Sequence, residues 1–103
     1  MATFGYGRVS TSQQDTENQR LELEQAGWTF DFWFTDVASG KIPAVQRKAF
    51  SEMLSKIRDG ETLVVAKLDR LGRDAIDVLQ TVRKLADRNI KVIVHLNRPG
   101  FPG

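Results

Sequence analysis

The sequence predicts an α/β domain: an open, mostly parallel sheet with helices on both faces. Two observations carry this. Strand-like and helix-like runs alternate four times along the chain, the order that gives parallel strands joined by crossover helices. A length of 103 residues is enough for one domain with a single modest core, not for two. In order, Thr3 to Gly7 has Phe4 and Tyr6 alternating and reads as a first strand. Ser12 is a suitable N-cap for a polar helix running to about Ala26 and ended by Gly27. Phe30, Phe32 and Phe34 alternate with Asp31, Trp33 and Thr35, a period-2 strand whose phenylalanines are core by alternation. Ala38 to Pro43 reads as a mobile loop. Phe50, Met53, Leu54 and Ile57 recur at helical spacing, with Gly60 closing that helix. Thr62 to Ala66 is a short, central apolar strand, and Ala75, Val78, Leu79, Val82, Leu85 and Ala86 mark the strongest helix. Ile90 to Leu96 makes a last strand, and the Pro- and Gly-rich tail from Arg98 continues neither helix nor sheet.

Composition narrows the function classes. With 41% hydrophobic and 27% charged residues the chain is an ordinary globular one, neither a disordered tract nor a membrane span. The absence of cysteine excludes a disulfide framework, a thiolate nucleophile and a Cys-ligated zinc site. No basic-then-apolar leader opens the sequence, so a soluble cytoplasmic protein is the expectation. A net charge of +2 says little about partners; where the cations sit says more.

The cations gather at two strand exits. Tyr6-Gly7-Arg8-Val9-Ser10-Thr11-Ser12 leaves the first strand, and Lys67-Leu68-Asp69-Arg70-Leu71-Gly72-Arg73-Asp74 follows the central one. In open parallel sheets, ligands bind outside the carboxyl ends of strands, so the topology brings the two runs together. An aliphatic hydroxyl attacks a phosphodiester only when the charge built on the phosphoryl oxygens is stabilised. Guanidiniums match that geometry with two donors each and stay protonated. One well-aimed donor is worth roughly 3 kcal/mol toward a developing oxyanion. Arg8 and Ser10, two apart, point to one side of an extended segment, and Arg70 and Arg73, three apart, share a face if their segment is helical. Asp69 is suited to orienting a guanidinium or taking part in proton transfer. The plainer reading is a solvated helix start with Asp69 and Arg70 pairing at the surface.

The two runs, through Gln13-Gln14 in the first, resemble the signature segments of the serine recombinases, the resolvase/invertase family. Gln19 in the first helix, Thr35-Asp36-Val37-Ala38-Ser39-Gly40 after the second strand and Arg47 opening the next helix follow in similar order. The resemblance covers nearly the whole chain and implies a resolvase catalytic-domain-like fold. It implies a DNA-cleaving and rejoining enzyme in which Ser10 becomes joined to the 5′ phosphate and a 3′ hydroxyl is released. Arg8, Arg70, Arg73 and Arg47 would clamp the scissile phosphate, with Asp69 and Gln19 organising the site. Tyr6, Gln14, Gln19 and Lys67 would lie at the DNA-binding surface. No cofactor or metal is implied, and no group is assigned to take the proton of Ser10. His95 is expected to be structural. Double-stranded DNA is the implied partner, with dimers or tetramers formed by the intact protein.

The family continues into a long dimerisation helix and a helix-turn-helix, neither of which the 103 residues contain. The expectation is therefore residues 1–103 as a catalytic domain alone, weakly associating and with little or no recombination by itself. The alternative from the same family is a truncated, catalytically silent interaction or regulatory module. Another serine phosphodiesterase or phosphatase would leave the two matched runs unexplained. A receiver-like domain would need acidic residues where the first strand ends in Arg8 and Ser10. Trp28 and Trp33 are expected to pack between helix and sheet rather than stack on bases.

Overall fold

The computed structural model describes residues 1–9 and 13–95, with the backbone alone for 13–15. Its elements are β1 (Thr3–Val9), α1 (Gln13–Gln25), β2 (Phe32–Val37), α2 (Lys48–Lys56), β3 (Thr62–Val65), α3 (Ala75–Asp87) and β4 (Lys91–Val94). Two 3₁₀ turns, Ala44–Gln46 and Leu68–Leu71, precede α2 and α3. The four strands are all parallel, in the order β2-β1-β3-β4. The chain moves one way from β1 to β2 and the other way from β2 to β3 and on to β4. Right-handed crossovers then put α1 on one face and α2 with α3 on the other. The order reverses between β1 and β3, so the crevice of such a sheet lies above their carboxyl ends.

Alternation sorts the core. Phe4 and Tyr6 of β1 and Leu63 and Val65 of β3 face α2 and α3, where they meet Phe50, Met53, Leu71 and Leu85. Val64 and Ala66 face the α1 side with Leu23, Trp28, Phe30 and Trp33, so both tryptophans pack against the sheet as expected. On this face the middle of β1 offers Gly5 and Gly7, and their lack of side chains makes room for the Trp33 indole. A Cβ on Gly5 would stand 2.6 Å from Trp33 Cζ3 and 2.7 Å from Phe30 Cε1. Helix α1 is polar, and Leu23 is its buried apolar contact with the sheet. Gly27 at φ 106° allows Trp28 N–H to reach the Leu23 carbonyl (3.2 Å) and Gly27 N–H that of Glu24 (3.0 Å). The same closure ends α3, with Asn89 at φ 60° and Ile90 N–H on the Leu85 carbonyl at 3.0 Å.

The structure moves several boundaries. Strand β2 begins at Phe32 rather than Phe30, because Asp31 N–H first closes on the Thr3 carbonyl. Phe30 therefore joins the tryptophan side while Phe34 joins the other. Phe32 is not core: on an edge strand it is 40% exposed, stacked on Phe4 and beneath the Lys56 ammonium. Helix α2 ends at Lys56, ahead of Gly60, because Arg88 donates to the Leu54 and Ile57 carbonyls at 3.0 and 2.6 Å and satisfies its last turn. Gly60, at φ 87°, instead shapes the turn into β3. Strand β4 is Lys91–Val94; the expected end at Leu96, like the tail and the Ser12 cap, lies outside the described residues.

Candidate functional site

Arg8 lies near the end of β1, with its side chain half-buried and its Nη1 donating to the Ala38 carbonyl at 3.0 Å. Gly40 closes over it: a Cβ there would be 3.3 Å from Arg8 Nη2, so a residue without a side chain lets the loop lie on the guanidinium. Gln19 Nε2 donates to the Arg8 carbonyl at 3.2 Å, tying α1 to the strand end. Gln19 is thus turned toward the backbone that carries Arg8.

Arg47 is the N-cap residue of α2 and is 2% exposed. Its Nε donates to the Ile42 carbonyl (3.1 Å) and its Nη1 to the Arg70 carbonyl (2.7 Å), so its charge rests on neutral acceptors. Asp36, at the end of β2, sets the start of α2. Its carboxylate accepts from Ala49 N–H (2.8 Å) and Phe50 N–H (3.0 Å), satisfying two orphan donors of the helix. Its third partner is the Tyr6 hydroxyl at 2.8 Å. Tyr6 is wholly buried, against Phe50. Burial raises the Tyr6 hydroxyl well above the ordinary tyrosine range, nearby Arg47 pulls it back, and Asp36 adds to the rise. The expected DNA contact at Tyr6 is therefore corrected: the residue braces α2 from inside the core.

Arg70 lies in the second 3₁₀ turn, with its Nη1 on Asp69 Oδ1 at 3.0 Å. Its side chain is largely covered, whereas that of Asp69 is 70% exposed. Arg73 does not share a helical face with Arg70. The turn ends at Leu71, Gly72 is fully extended, and α3 starts only after Asp74, whose carboxylate caps it through Asp77 N–H at 2.8 Å. Arg73 is instead exposed on the connecting segment, beside Asp74. Lys67 is exposed at the start of the 3₁₀ turn. Ser10 and the side chain of Gln14 lie outside the described residues. His95 follows β4, and its backbone N–H donates to the Val65 carbonyl.

Arg8, Arg47 and Arg70 form one electrostatic group. The Arg8 guanidinium is held below its ordinary value, first by burial and then by the charges of Arg70 and Arg47, with Asp69 partly opposing. Arg8 Nε, Arg47 Nη2 and Arg70 Nε are buried without a hydrogen-bond partner among the described residues. Buried donors of this kind are costly unless something accepts from them. Arg8, Asp69 and Arg73 line a cavity of about 360 Å³ beneath Gly40. A larger groove of about 650 Å³ runs from Arg73 along Leu79 and Val82, but its lining is almost wholly apolar. The smaller cavity has the chemistry: Arg8 and Arg73 bring forked cations to its wall, which suit a tetrahedral oxyanion. Sequence reasoning missed Asp36 as the residue that sets Arg47, although a carboxylate ending a strand just ahead of a helix was the available signal.

An arginine cluster at the switch point of an α/β sheet suits an anionic ligand, and comparison with known proteins narrows the class. Residues 3–99 match the family model described as resolvase, N terminal domain. Over 91 residues the chain is 44% identical to the transposon Tn2501 resolvase of Escherichia coli, covering 86% of this chain and 47% of that protein. It is 40% identical over 91 residues to serine recombinase PinR of Escherichia coli K12, covering 86% and 46% of the two chains. A crystal structure of a serine recombinase from Sulfolobus solfataricus superposes with a TM-score of 0.71 at 33% identity, covering 94% of this chain and 69% of that one. The chain belongs to the resolvase family of serine recombinases, matching its N-terminal catalytic domain. It spans about half the length of these Escherichia coli relatives.

Proposed function

We propose that the chain is the catalytic domain of a site-specific DNA recombinase that cuts and rejoins double-stranded DNA through Ser10. The Ser10 oxygen attacks the scissile phosphorus, the bond from phosphorus to the 3′ oxygen breaks, and that oxygen leaves as a hydroxyl carrying a proton. The 5′ phosphate stays esterified to Ser10. Attack by another 3′ hydroxyl reverses the step, so the ester keeps the bond energy and no cofactor is called for. Arg8, Arg47 and Arg70 bind the equatorial oxygens, Arg73 approaches from the open side, and Asp69 orients Arg70. Lys67 and the exposed Arg73 meet the DNA backbone. In the intact protein the reaction runs in dimers or tetramers, in the cytoplasm.

One observation supports the reading: cations beside the end of β1 rest on carbonyl oxygens and keep buried donors without a partner among the described residues. The test is a detergent-resistant protein–DNA adduct formed on DNA flanking the protein's own gene. Wild-type protein should form it, and Ser10→Ala should abolish it while unfolding at the same denaturant concentration. An adduct that persists in Ser10→Ala defeats the assignment.

A further inference from the structure

Two separate segments carry Arg47 and Arg73, and one carboxylate oxygen joins them. Asp77 lies in the first turn of α3 and is not among the residues that line the cavity. Its Oδ2 accepts from Arg73 N–H at 2.9 Å and from Ala44 N–H at 3.2 Å. Ala44 is fully buried and opens the 3₁₀ turn that delivers Arg47, whose own N–H returns to the Ala44 carbonyl at 3.0 Å. A carboxylate in a helix's first turn ordinarily serves its own helix, satisfying nearby N–H groups and the positive end of the dipole. Here one of its two bonds reaches a residue 33 positions earlier in the chain. Gly72 lets this segment lie against the start of α3, since a Cβ there would fall 2.5 Å from Val78 N and 2.9 Å from the Asp77 carboxylate oxygen.

We propose that Asp77 is a positioning residue, coupling the Arg47 segment to the Arg73 segment so that both guanidiniums reach one phosphate together. This deepens the recombinase reading and rests on it. Asp77 touches no reacting atom; it fixes the separation of two backbones. Misplacement of a reacting constellation by about 1 Å can cost on the order of a hundredfold in rate. Because a single oxygen accepts both bonds, an asparagine carbonyl can reproduce the tether where alanine cannot.

The experiment measures adduct formation on the flanking DNA against DNA concentration, together with amide hydrogen exchange of the free protein. Asp77→Ala should slow the rate at saturating DNA on the order of a hundredfold, leaving the half-saturating concentration within about twofold. Asp77→Asn should recover most of that rate, and the Ala44 and Arg73 amides should exchange faster in the alanine variant only. If Asp77→Ala does not fold, Asp77→Ser, which keeps a polar group in the helix's first turn but is too short to hold both amides, should show the slow rate and fast exchange instead. A wild-type rate in Asp77→Ala, or an equal loss in Asp77→Asn, overturns the proposal. Wild-type protein that forms no adduct overturns the recombinase reading instead, while the exchange comparison still decides whether Asp77 is the tether.

Discussion

Asp36→Ala is the sharpest probe of how the fold holds its arginine cluster. The carboxylate is 7% exposed and accepts from Ala49 N–H, Phe50 N–H and the Tyr6 hydroxyl. Loss of a helix cap costs about 1–2 kcal/mol. A buried hydroxyl left without an acceptor costs about 1–3 kcal/mol more. The sum centres near 3 kcal/mol, a large part of the roughly 5–15 kcal/mol that holds a domain of this size. The melting temperature should fall by about 12–24 °C. Urea unfolding measures the change directly, with an unaltered slope showing that stability and not compactness has moved. Tyr6→Phe removes the hydroxyl but leaves both helix donors satisfied, so it should cost only about 1 kcal/mol. Combined with Asp36→Ala it should cost less than the two changes added, by about 1–2 kcal/mol, because no orphaned hydroxyl remains. Simple additivity, or an Asp36→Ala cost under about 1 kcal/mol, would refute the shared-carboxylate account.

Gly5→Ala should destabilise by about 1–3 kcal/mol through overpacking, despite the better strand propensity of alanine, and should shift Trp33 fluorescence. A stabilised Gly5→Ala variant would show that the indole does not lie on that glycine. Glu61 accepts from Arg58 N–H at 2.7 Å and Ala2 N–H at 2.9 Å, and those bonds hold its carboxyl below the ordinary value of 4.5. Its contribution is therefore full above the unfolded-state value and is lost as pH falls through the lower folded one. Unfolding free energies of wild type and Glu61→Gln should differ at neutral pH and converge in acid; a gap independent of pH would contradict this.

Element order, parallel pairing and the meeting of the two cationic runs were legible because each rests on period or on topology. What escaped depends on contacts between distant segments. The spacing of Arg70 and Arg73 suggests one helical face, but Gly72 in extended backbone separates them and Asp74 starts the helix later. That cap was readable in Asp74 and Asp77, three residues apart at a helix start. Tyr6 alternates with Phe4, which already placed it on a core face; reading it as a DNA contact set a family expectation above the strand period. Phe30 and Phe32 keep a two-residue rhythm, yet a turn at Asp31 and the edge position of β2 break what that rhythm implies. The burial of Arg47 was not readable at all, because its acceptors are carbonyls on two loops far apart in sequence.

That burial bears on why such a cluster survives in a small core. Arg8 and Arg47 are anchored on carbonyl oxygens, and Arg70 shares its charge with an exposed Asp69. A carboxylate on each would neutralise them, and would also occupy the donors that the proposed reaction leaves for a phosphate. Carbonyl anchoring fixes the guanidinium planes while leaving the positive charge unspent. The lowered Arg8 value is the local sign of that strain, and burial with the Arg70 and Arg47 charges is its cause. On the recombinase reading, a phosphate diester in the cavity would offset the mutual repulsion of these guanidiniums, though not their burial.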